Sequence, residues 1–359
     1  MEISQLQILK SDLSQTRFTR QKLSELKPGD ILAEVEIFAL TANNVTYGVV
    51  GEKMGYWNFF PTDDKDWGII PVWGVAKVAA SEHEDISVGE RLYGYWPMGS
   101  HLILSPGKIS AARLSDTAPH RQELAAVYNN YQRLNNAPGY DASFDHDRVV
   151  LFPLYATSFC LYDFFQDNDW FDADQVIISS ASSKTAIGTA YAIKEDSNAK
   201  RLVGLTSTRN QSAVSALGLY DEVRTYEEIE NLNASKPTAI IDMSGNGKII
   251  SSLHAHLKDQ MKYTSMVGIT HYSDNAMGAD FIAERSHMFF APGHMAKRAK
   301  DWGPGAFERK AQEFWQRAAI TSRSWLTIQT GTGAEIVEHA WREVAKGETP
   351  PNSAWAVSL

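Results

Sequence analysis

Two stretches of this sequence carry the residue types that hold an anion. In the first, residues 179–188 read Ser-Ser-Ala-Ser-Ser-Lys-Thr-Ala-Ile-Gly. Side chains this small let backbone N–H groups and a helix N-terminus approach a phosphate, and a lysine adds positive charge. Ser182, Ser183, Lys184, Thr185 and Ala186 are the candidate phosphate contacts, with Gly188 the single glycine of the run. The spacing G-x-G-x-x-G is not met, and a serine-rich turn that only caps a helix has the same composition. In the second stretch, residues 206–210 read Thr-Ser-Thr-Arg-Asn, with no carboxylate. At the end of a second parallel strand an acid binds a ribose hydroxyl, whereas neutral and basic residues suit a 2′-phosphate. Thr206 and Arg209 are the candidates there, and an ordinary exposed loop arginine is the other reading.

Aromatic residues make up 11% of the chain, yet residues 47–96 hold ten of them, about twice that density. They either stiffen a small β-rich core or line a flat-walled pocket, since small-molecule sites are mostly apolar and aromatic. Tyr56, Trp57 and Tyr95 are the candidate pocket walls. The single cysteine, Cys160, lies in the apolar run SFCLYDFF and reads as buried and inert. One cysteine excludes an internal disulfide and a thiolate zinc cluster. His83, His101 and the His254-x-His256 pair lack a third ligand, so no metal is expected. A serine hydrolase is excluded for want of a G-x-S-x-G elbow.

The elements that would position these residues follow from the hydrophobic pattern. Residues 30–40 alternate apolar and polar at period two, and 68–79 and 87–95 read as further strands, so the first 110 residues are β-rich. Residues 118–134 read as a connecting helix, and 135–148, with Pro138 and three Asp, as a loop. From about residue 149 to 291 the pattern turns to βαβ. Strands are expected at 176–179, 201–205, 222–226, 238–243, 264–270 and 285–291, with helices at 185–193, 211–219 and 247–257. Short apolar strands separated by helices argue for a parallel doubly wound sheet. A last helix is expected over 334–345. With 359 residues the chain has room for about two domains.

A net charge of −9 is unfavourable for sequence-blind nucleic-acid binding. No basic-then-apolar leader opens the sequence and no apolar run approaches 18 residues, so a cytoplasmic protein with no membrane partner is expected.

The order of these elements resembles the medium-chain dehydrogenase/reductase superfamily, in its zinc-free quinone-oxidoreductase and enoyl-reductase branch, and within it a divergent group of unknown function. The likeness is carried by residues 30–47, by 70–95 with Val88-Gly89-Glu90-Arg91, and by Tyr155-Ala156-Thr157-Ser158. Ala216-Leu217-Gly218-Leu219-Tyr220-Asp221-Glu222-Val223 and Ile240-Ile241-Asp242-Met243-Ser244-Gly245 extend it. The resemblance implies an α/β protein: a GroES-like β-rich catalytic domain (1–145 and 292–359) and a Rossmann domain (146–291) that binds NADP(H), assembled as a homodimer. It also implies that Asn43, Asn44 and Tyr47 face the substrate as carbonyl-polarising donors, with Tyr47 a proton donor if a nearby cation lowers its pKa. Thr157 and Ser158 would face the nicotinamide end of the cofactor, and Ser244 and Gly245 would let the backbone approach it. The expected function is zinc-independent, NADPH-dependent reduction of an activated C=C or C=O in a small enone, quinone or aldehyde. The rival is a non-catalytic NADP(H)-binding sensor or scaffold of the same fold.

Overall fold

The structure is a computed structural model and describes residues 1–137, 139–267, 277–289, 291–303 and 305–359. It opens with strands β1 (Glu2–Leu9), β2 (Asp12–Lys22) and β3 (Ile31–Leu40), then short helices α1 (Ala42–Val49) and α2 (Gly51–Met54). Strands β4 (Trp67–Gly68), β5 (Pro71–Ser81), β6 (Arg91–Pro97), β7 (His101–Leu104), β8 (Pro106–Gly107), β9 (Arg113–Asp116) and β10 (Asn130–Arg133) follow. Helix α3 (Asp145–Asp167) leads into β11 (Gln175–Ile178), α4 (Lys184–Lys194), β12 (Arg201–Thr206), α5 (Gln211–Ala216), β13 (Glu222–Thr225), β14 (Thr238–Asp242), α6 (Gly247–Leu257), β15 (Met261–Met266) and β16 (Ser286–Met288). Helices α7 (Ala291–Trp302) and α8 (Ala306–Ser322) precede β17 (Thr327–Thr332), α9 (Ala334–Ala345) and β18 (Ser353–Ser358).

Two compact units result: residues 1–150 with 327–359, and residues 151–326. In the first, β3 is a central strand. Only Glu34 and Glu36 interrupt its run of buried residues, because β5, β7 and β18 all pair with it. The large sheet runs β17-β18-β3-β5-β6-β10-β9-β8 and is antiparallel apart from the parallel β17–β18 pair. A smaller sheet, β2-β1-β4, accompanies it. Helix α9 buries Val337, Ala340, Trp341 and Val344 in the same core as Phe38, Tyr95 and Trp96.

The second unit is a six-stranded parallel sheet of order β13-β12-β11-β14-β15-β16. Numbered within the sheet this is 3-2-1-4-5-6, the doubly wound order that reverses direction between its first and fourth strands. Helices α3 and α4 cover one face through Leu161, Phe165, Ala186 and Ile187, and α6 covers the other through Leu253 and Leu257.

Several expectations are corrected. Residues 118–134 form no connecting helix but two short 3-10 turns and strand β10. Arg121, buried there, pairs with Asp116 at 2.8 Å and donates to the Tyr131 hydroxyl at 2.9 Å, which ties the segment to the sheet rather than coiling it. The turn expected around residues 135–148 ends early, since α3 begins at Asp145; Pro138 lies outside the described residues. The strand expected over 264–270 ends at Met266, and residues 268–270 lie outside the described residues. That over 285–291 is confined to Ser286–Met288, with Phe290 also outside them.

Residues 292–326, expected to belong with the β-rich domain, form most of α7 and all of α8 in the second unit. There Phe307 and Phe314 contact Phe159, and Phe314 contacts Tyr155. One helical stretch within residues 142–167 holds an 18-residue window of mean hydropathy 1.3, enough by length and composition alone to cross a membrane. In this fold Leu161 and Phe165 of that stretch are buried in the second unit's core, and Asp163 is buried in an ion pair with Arg298.

Candidate functional site

In the second unit, the C-terminal ends of β11 and β14 meet at the reversal point of the sheet. Asp242, at the end of β14, is buried and accepts from the Ser179 hydroxyl. It also accepts from the Ser244 hydroxyl at 2.7 Å and from the Gly245 amide at 3.0 Å. The Ser179 hydroxyl in turn accepts from the Met243 amide at 3.0 Å. These bonds pin the two loops together. They also engage Ser244 and Gly245 inward, so both residues shape the loop rather than offer those groups to a ligand.

The serine-rich turn follows. Ser180 has φ +51°, a left-handed conformation for a residue with a Cβ. Its amide donates to the Tyr226 hydroxyl at 3.0 Å. The Ala181 carbonyl accepts from the Tyr220 hydroxyl at 3.1 Å, and its amide bonds to the Leu205 carbonyl at 2.9 Å. The Ser182 hydroxyl accepts from the Asn210 amide group at 3.1 Å. Ser183 caps α4 by accepting from the Ala186 amide. That leaves the Thr185 amide, at the second helical position, without a partner inside the helix. Lys184 is half-buried at the helix start, and burial lowers its pKa to about 8.

Gly188 lies away from the turn itself. A Cβ there would sit 2.5 Å from the Tyr155 ring and 2.6 Å from the Ser158 hydroxyl, so its smallness lets α3 and α4 approach. Ser158 is fully buried and donates to the Thr185 and Leu154 carbonyls at 2.8 and 3.0 Å, fastening α3 to the first turn of α4. Thr157 donates to the Pro153 carbonyl at 3.0 Å, one turn back in α3. Both lie deep in a helix that starts at Asp145, not at a helix start.

At the end of β12, Thr206 is buried and Arg209 exposed. The Thr208 hydroxyl donates to Glu227 at 3.1 Å, so a carboxylate reaches this loop from beyond β13. Linear reading of residues 206–210 misses it.

In the first unit, a phenolic hub forms around Tyr47. Its hydroxyl accepts from Asn43 Nδ2 at 2.7 Å and from Trp73 Nε1 at 3.1 Å. The Tyr95 and Tyr128 hydroxyls also reach it, so its proton is shared within the hub. The Tyr56 and Tyr128 hydroxyls lie 3.1 Å apart, and the rings of Tyr47 and Tyr56 sit at 4.6 Å. Tyr95 stacks on Tyr128 at 4.5 Å, and its buried hydroxyl has no well-aligned partner among the described residues. Asn43, Tyr56, Trp73 and Tyr128 are only half-buried, so that side of the hub reaches the surface of the unit.

Burial raises the Tyr47 pKa, with the neighbouring Tyr56 adding to the rise. The lowered value expected of a proton donor is absent, and the phenol stays a neutral hydrogen-bond donor. Asn44 is engaged elsewhere: its Oδ1 accepts from the Thr41 amide at 2.8 Å in a capping box for α1, and its Nδ2 donates to the Pro71 carbonyl at 3.0 Å. Trp57 is core packing, since a Cβ at Gly51 or Gly68 would come within 2.2 or 2.3 Å of its ring. Trp73 and Tyr128 join the hub unforeseen as site residues; the aromatic density of residues 47–96 signalled Trp73, whereas Tyr128 lies beyond that stretch.

His254 is buried, accepting the Ile282 amide at Nδ1 and facing the Thr264 hydroxyl at Nε2, while His256 bonds the Leu232 carbonyl. Among the described residues no group of three metal-ligating side chains converges. Cys160 is buried, with its pKa pushed up by burial.

An antiparallel β-rich unit and a 3-2-1-4-5-6 parallel sheet together define the fold of the medium-chain dehydrogenase/reductases, GroES-like and Rossmann domains in one chain. Solved structures with this fold align along the whole length. CurA from Vibrio vulnificus in complex with NADPH is 14% identical over 99% of this chain and 98% of that one, with a TM-score of 0.65. The yhdH oxidoreductase from Salmonella enterica in complex with NADP is 13% identical over 99% of both chains, TM-score 0.56. The quinone oxidoreductase from Coxiella burnetii is 12% identical over the full length of both, TM-score 0.55. No curated protein sequence matches the chain. Residues 38–350 match the family described as "Protein of unknown function (DUF2855)", and the chain belongs to that family.

Proposed function

We propose that this protein is a zinc-independent reductase that uses NADPH to reduce an activated C=C or C=O in a small enone, quinone or aldehyde, and that it works as a cytoplasmic homodimer. The observation that carries the reading is the 3-2-1-4-5-6 sheet with a Ser183-capped helix and Lys184 at its reversal point. Ligands of open α/β sheets bind beyond the carboxyl ends of the strands at that point.

The donor set fits a dinucleotide phosphate: helix-start amides, serine hydroxyls and a lysine, with no carboxylate in the turn. Lys184 and the Thr185 amide would hold the pyrophosphate beside the Ser182 and Ser183 hydroxyls, and Thr206 and Arg209 the 2′-phosphate end; the Ser183 and Ala186 amides are already bonded within the turn. NADPH, when bound, supplies the reducing equivalents. In the first unit the Tyr47 proton, set by Asn43 and Trp73 behind its oxygen, would polarise the substrate carbonyl. Because Tyr47 stays neutral, it stabilises developing negative charge by hydrogen bonding, and the net proton is taken from solvent.

A titration of nicotinamide fluorescence with NADPH and NADH, followed by a panel of enones and quinones, tests the reading. NADPH is expected to bind at sub-millimolar concentration, and Arg209→Ala to weaken NADPH but not NADH. Failure to bind either nucleotide sinks the enzyme reading. Tyr47→Phe is expected to lower kcat by tenfold or more with little change in nucleotide affinity; unchanged turnover would place the donor elsewhere.

The rival is an NADP(H)-binding sensor without turnover, and the engaged amides of the two loops bear on nucleotide affinity in either reading. The Ser180 and Gly245 amides, at the two loops of the reversal point, already have partners within the chain. Binding without turnover on any substrate would select it.

A further inference from the structure

The serine-rich turn has a shape that its own residues do not favour. The left-handed region is unfavourable for any residue with a Cβ, and Ser180 holds φ +51° where a glycine would do so freely. What holds it comes from the other side of β12. The Ser180 amide bonds to the Tyr226 hydroxyl at 3.0 Å, and the next residue's carbonyl bonds to the Tyr220 hydroxyl at 3.1 Å. The two tyrosines flank β13, one on each side of Glu222–Thr225.

Each is itself fixed. Tyr226 opens the turn after β13, where Thr225 and Glu228 form a capping box, and its ring packs with the apolar cluster of Ile177, Val203 and Leu205. Tyr220 lies against Gly204 of β12, where a Cβ would come 3.0 Å from its ring and 3.1 Å from the Ala181 Cβ. Gly204 thus leaves the room through which Tyr220 reaches the turn. Phenols used this way must stay protonated, and burial raises the pKa of both, that of Tyr226 to about 12.

We propose that Tyr220 and Tyr226 are positioning residues for the phosphate turn, imposing through side-chain hydrogen bonds the backbone shape that glycines confer through conformational freedom. The inference rests on the reading of this turn as a nucleotide site, but the clamp itself can be observed without nucleotide. It explains how a turn with Ser180, Ser182 and Ser183 in place of glycines keeps a fixed course from β11 into α4.

The test uses the full chain with Tyr226→Phe, Ser180→Gly and the pair combined. Without nucleotide, hydrogen exchange of the peptide containing Ser180 is expected to rise about tenfold in Tyr226→Phe; unchanged exchange overturns the clamp. With NADPH, Tyr226→Phe is expected to raise Kd about fivefold to tenfold, the weight of one hydrogen bond. Adding Ser180→Gly is expected to restore Kd to within twofold of wild type, since glycine adopts this φ unaided. Weakened binding with no rescue would mean a general structural role and overturns the proposal. Tighter binding in Tyr226→Phe would mean that the phenol competes with phosphate, and overturns it too. If the wild-type protein binds no NADPH, the nucleotide reading fails, and amide exchange alone then decides the clamp. Tyr220→Phe, which keeps the ring against Gly204 but removes the donor to the Ala181 carbonyl, is expected to raise exchange across the peptide that contains Ala181 and Ser182.

Discussion

Alanine at position 188 separates a packing glycine from a cofactor glycine. In an exposed helix interior Gly→Ala stabilises by about 1 kcal/mol. Here the added methyl would lie 2.5 Å from Tyr155 Cδ1 and 2.6 Å from Ser158 Oγ, about 1 Å inside normal contact. Neither neighbour can swing away. Tyr155 is fully buried and its hydroxyl bonds Ser322 at 2.7 Å, while Ser158 is held by the Thr185 and Leu154 carbonyls. Overpacking against rigid neighbours costs about 1–3 kcal/mol, and two such contacts put the cost near the upper end. Setting that against the helix gain leaves a net destabilisation of about 1.5 kcal/mol, or a melting temperature lower by about 3–6 °C. Thermal unfolding followed by near-UV circular dichroism, with urea midpoints as a check, measures it. NADPH affinity at 20 °C, where the variant stays folded, is expected to change less than twofold. A neutral or stabilising Gly188→Ala would refute the packing argument, and a large loss of affinity in a fully folded variant would return Gly188 to the cofactor site.

Three further outcomes follow from the same geometry. Lys184, with its pKa lowered to about 8, is charged below that pH and neutral above it; NADPH affinity is expected to fall as pH rises through about 8, and Lys184→Met to flatten that profile in a fluorescence titration. Asn44→Ala removes the capping-box acceptor and the donor to Pro71, and is expected to cost about 1–2 kcal/mol in urea denaturation while kcat/KM stays within twofold. His254 is held neutral in the fold, its pKa lowered to about 4 by burial with Arg285 adding to the shift, against 6.5 when unfolded; the unfolded chain therefore takes up a proton first, and stability is expected to fall as pH drops from about 6.5 toward 4, a slope that His254→Gln should reduce.

The parts of the fold legible in the sequence are those whose periodicity decides them locally. Helix α6 and helix α9 lie where the sequence pattern places them, β3 where its alternation does, and β11, β12 and β14 where their apolar runs do. Elsewhere long-range contacts override the local pattern. Residues 118–134 have apolar residues at helical spacing, yet Tyr131 and Arg121 are drawn into the β-rich core and the segment extends. The Gly303-Pro304-Gly305 break within residues 292–326 does not assign them to either unit, and Phe307 and Phe314 decide by docking on α3. For the candidate site, residue types pointed to the correct turn, but not to the clamp. Tyr220 and Tyr226 lie about forty residues beyond the turn, and only the parallel register of β11, β12 and β13 brings them to it. Asn43 and Asn44 are adjacent and chemically alike; the helix turn alone sends one to Tyr47 and the other to Thr41 and Pro71.

The placement of β18 against β3 has a consequence for biosynthesis. Residues 355–357 register with residues 38–40, so the large sheet cannot close until some three hundred residues after its central strand has been made. The second unit draws on one continuous stretch and can complete its sheet while the ribosome is still translating β17. Domains usually mature in the order of their synthesis; here the order inverts, and the N-terminal strands must wait, with the apolar edge of β3 unpaired, in the interval when a nascent chain most needs a chaperone. A stalled or prematurely terminated transcript would release that edge exposed, which makes loss of the last six strand residues a route to aggregation rather than to a merely trimmed protein.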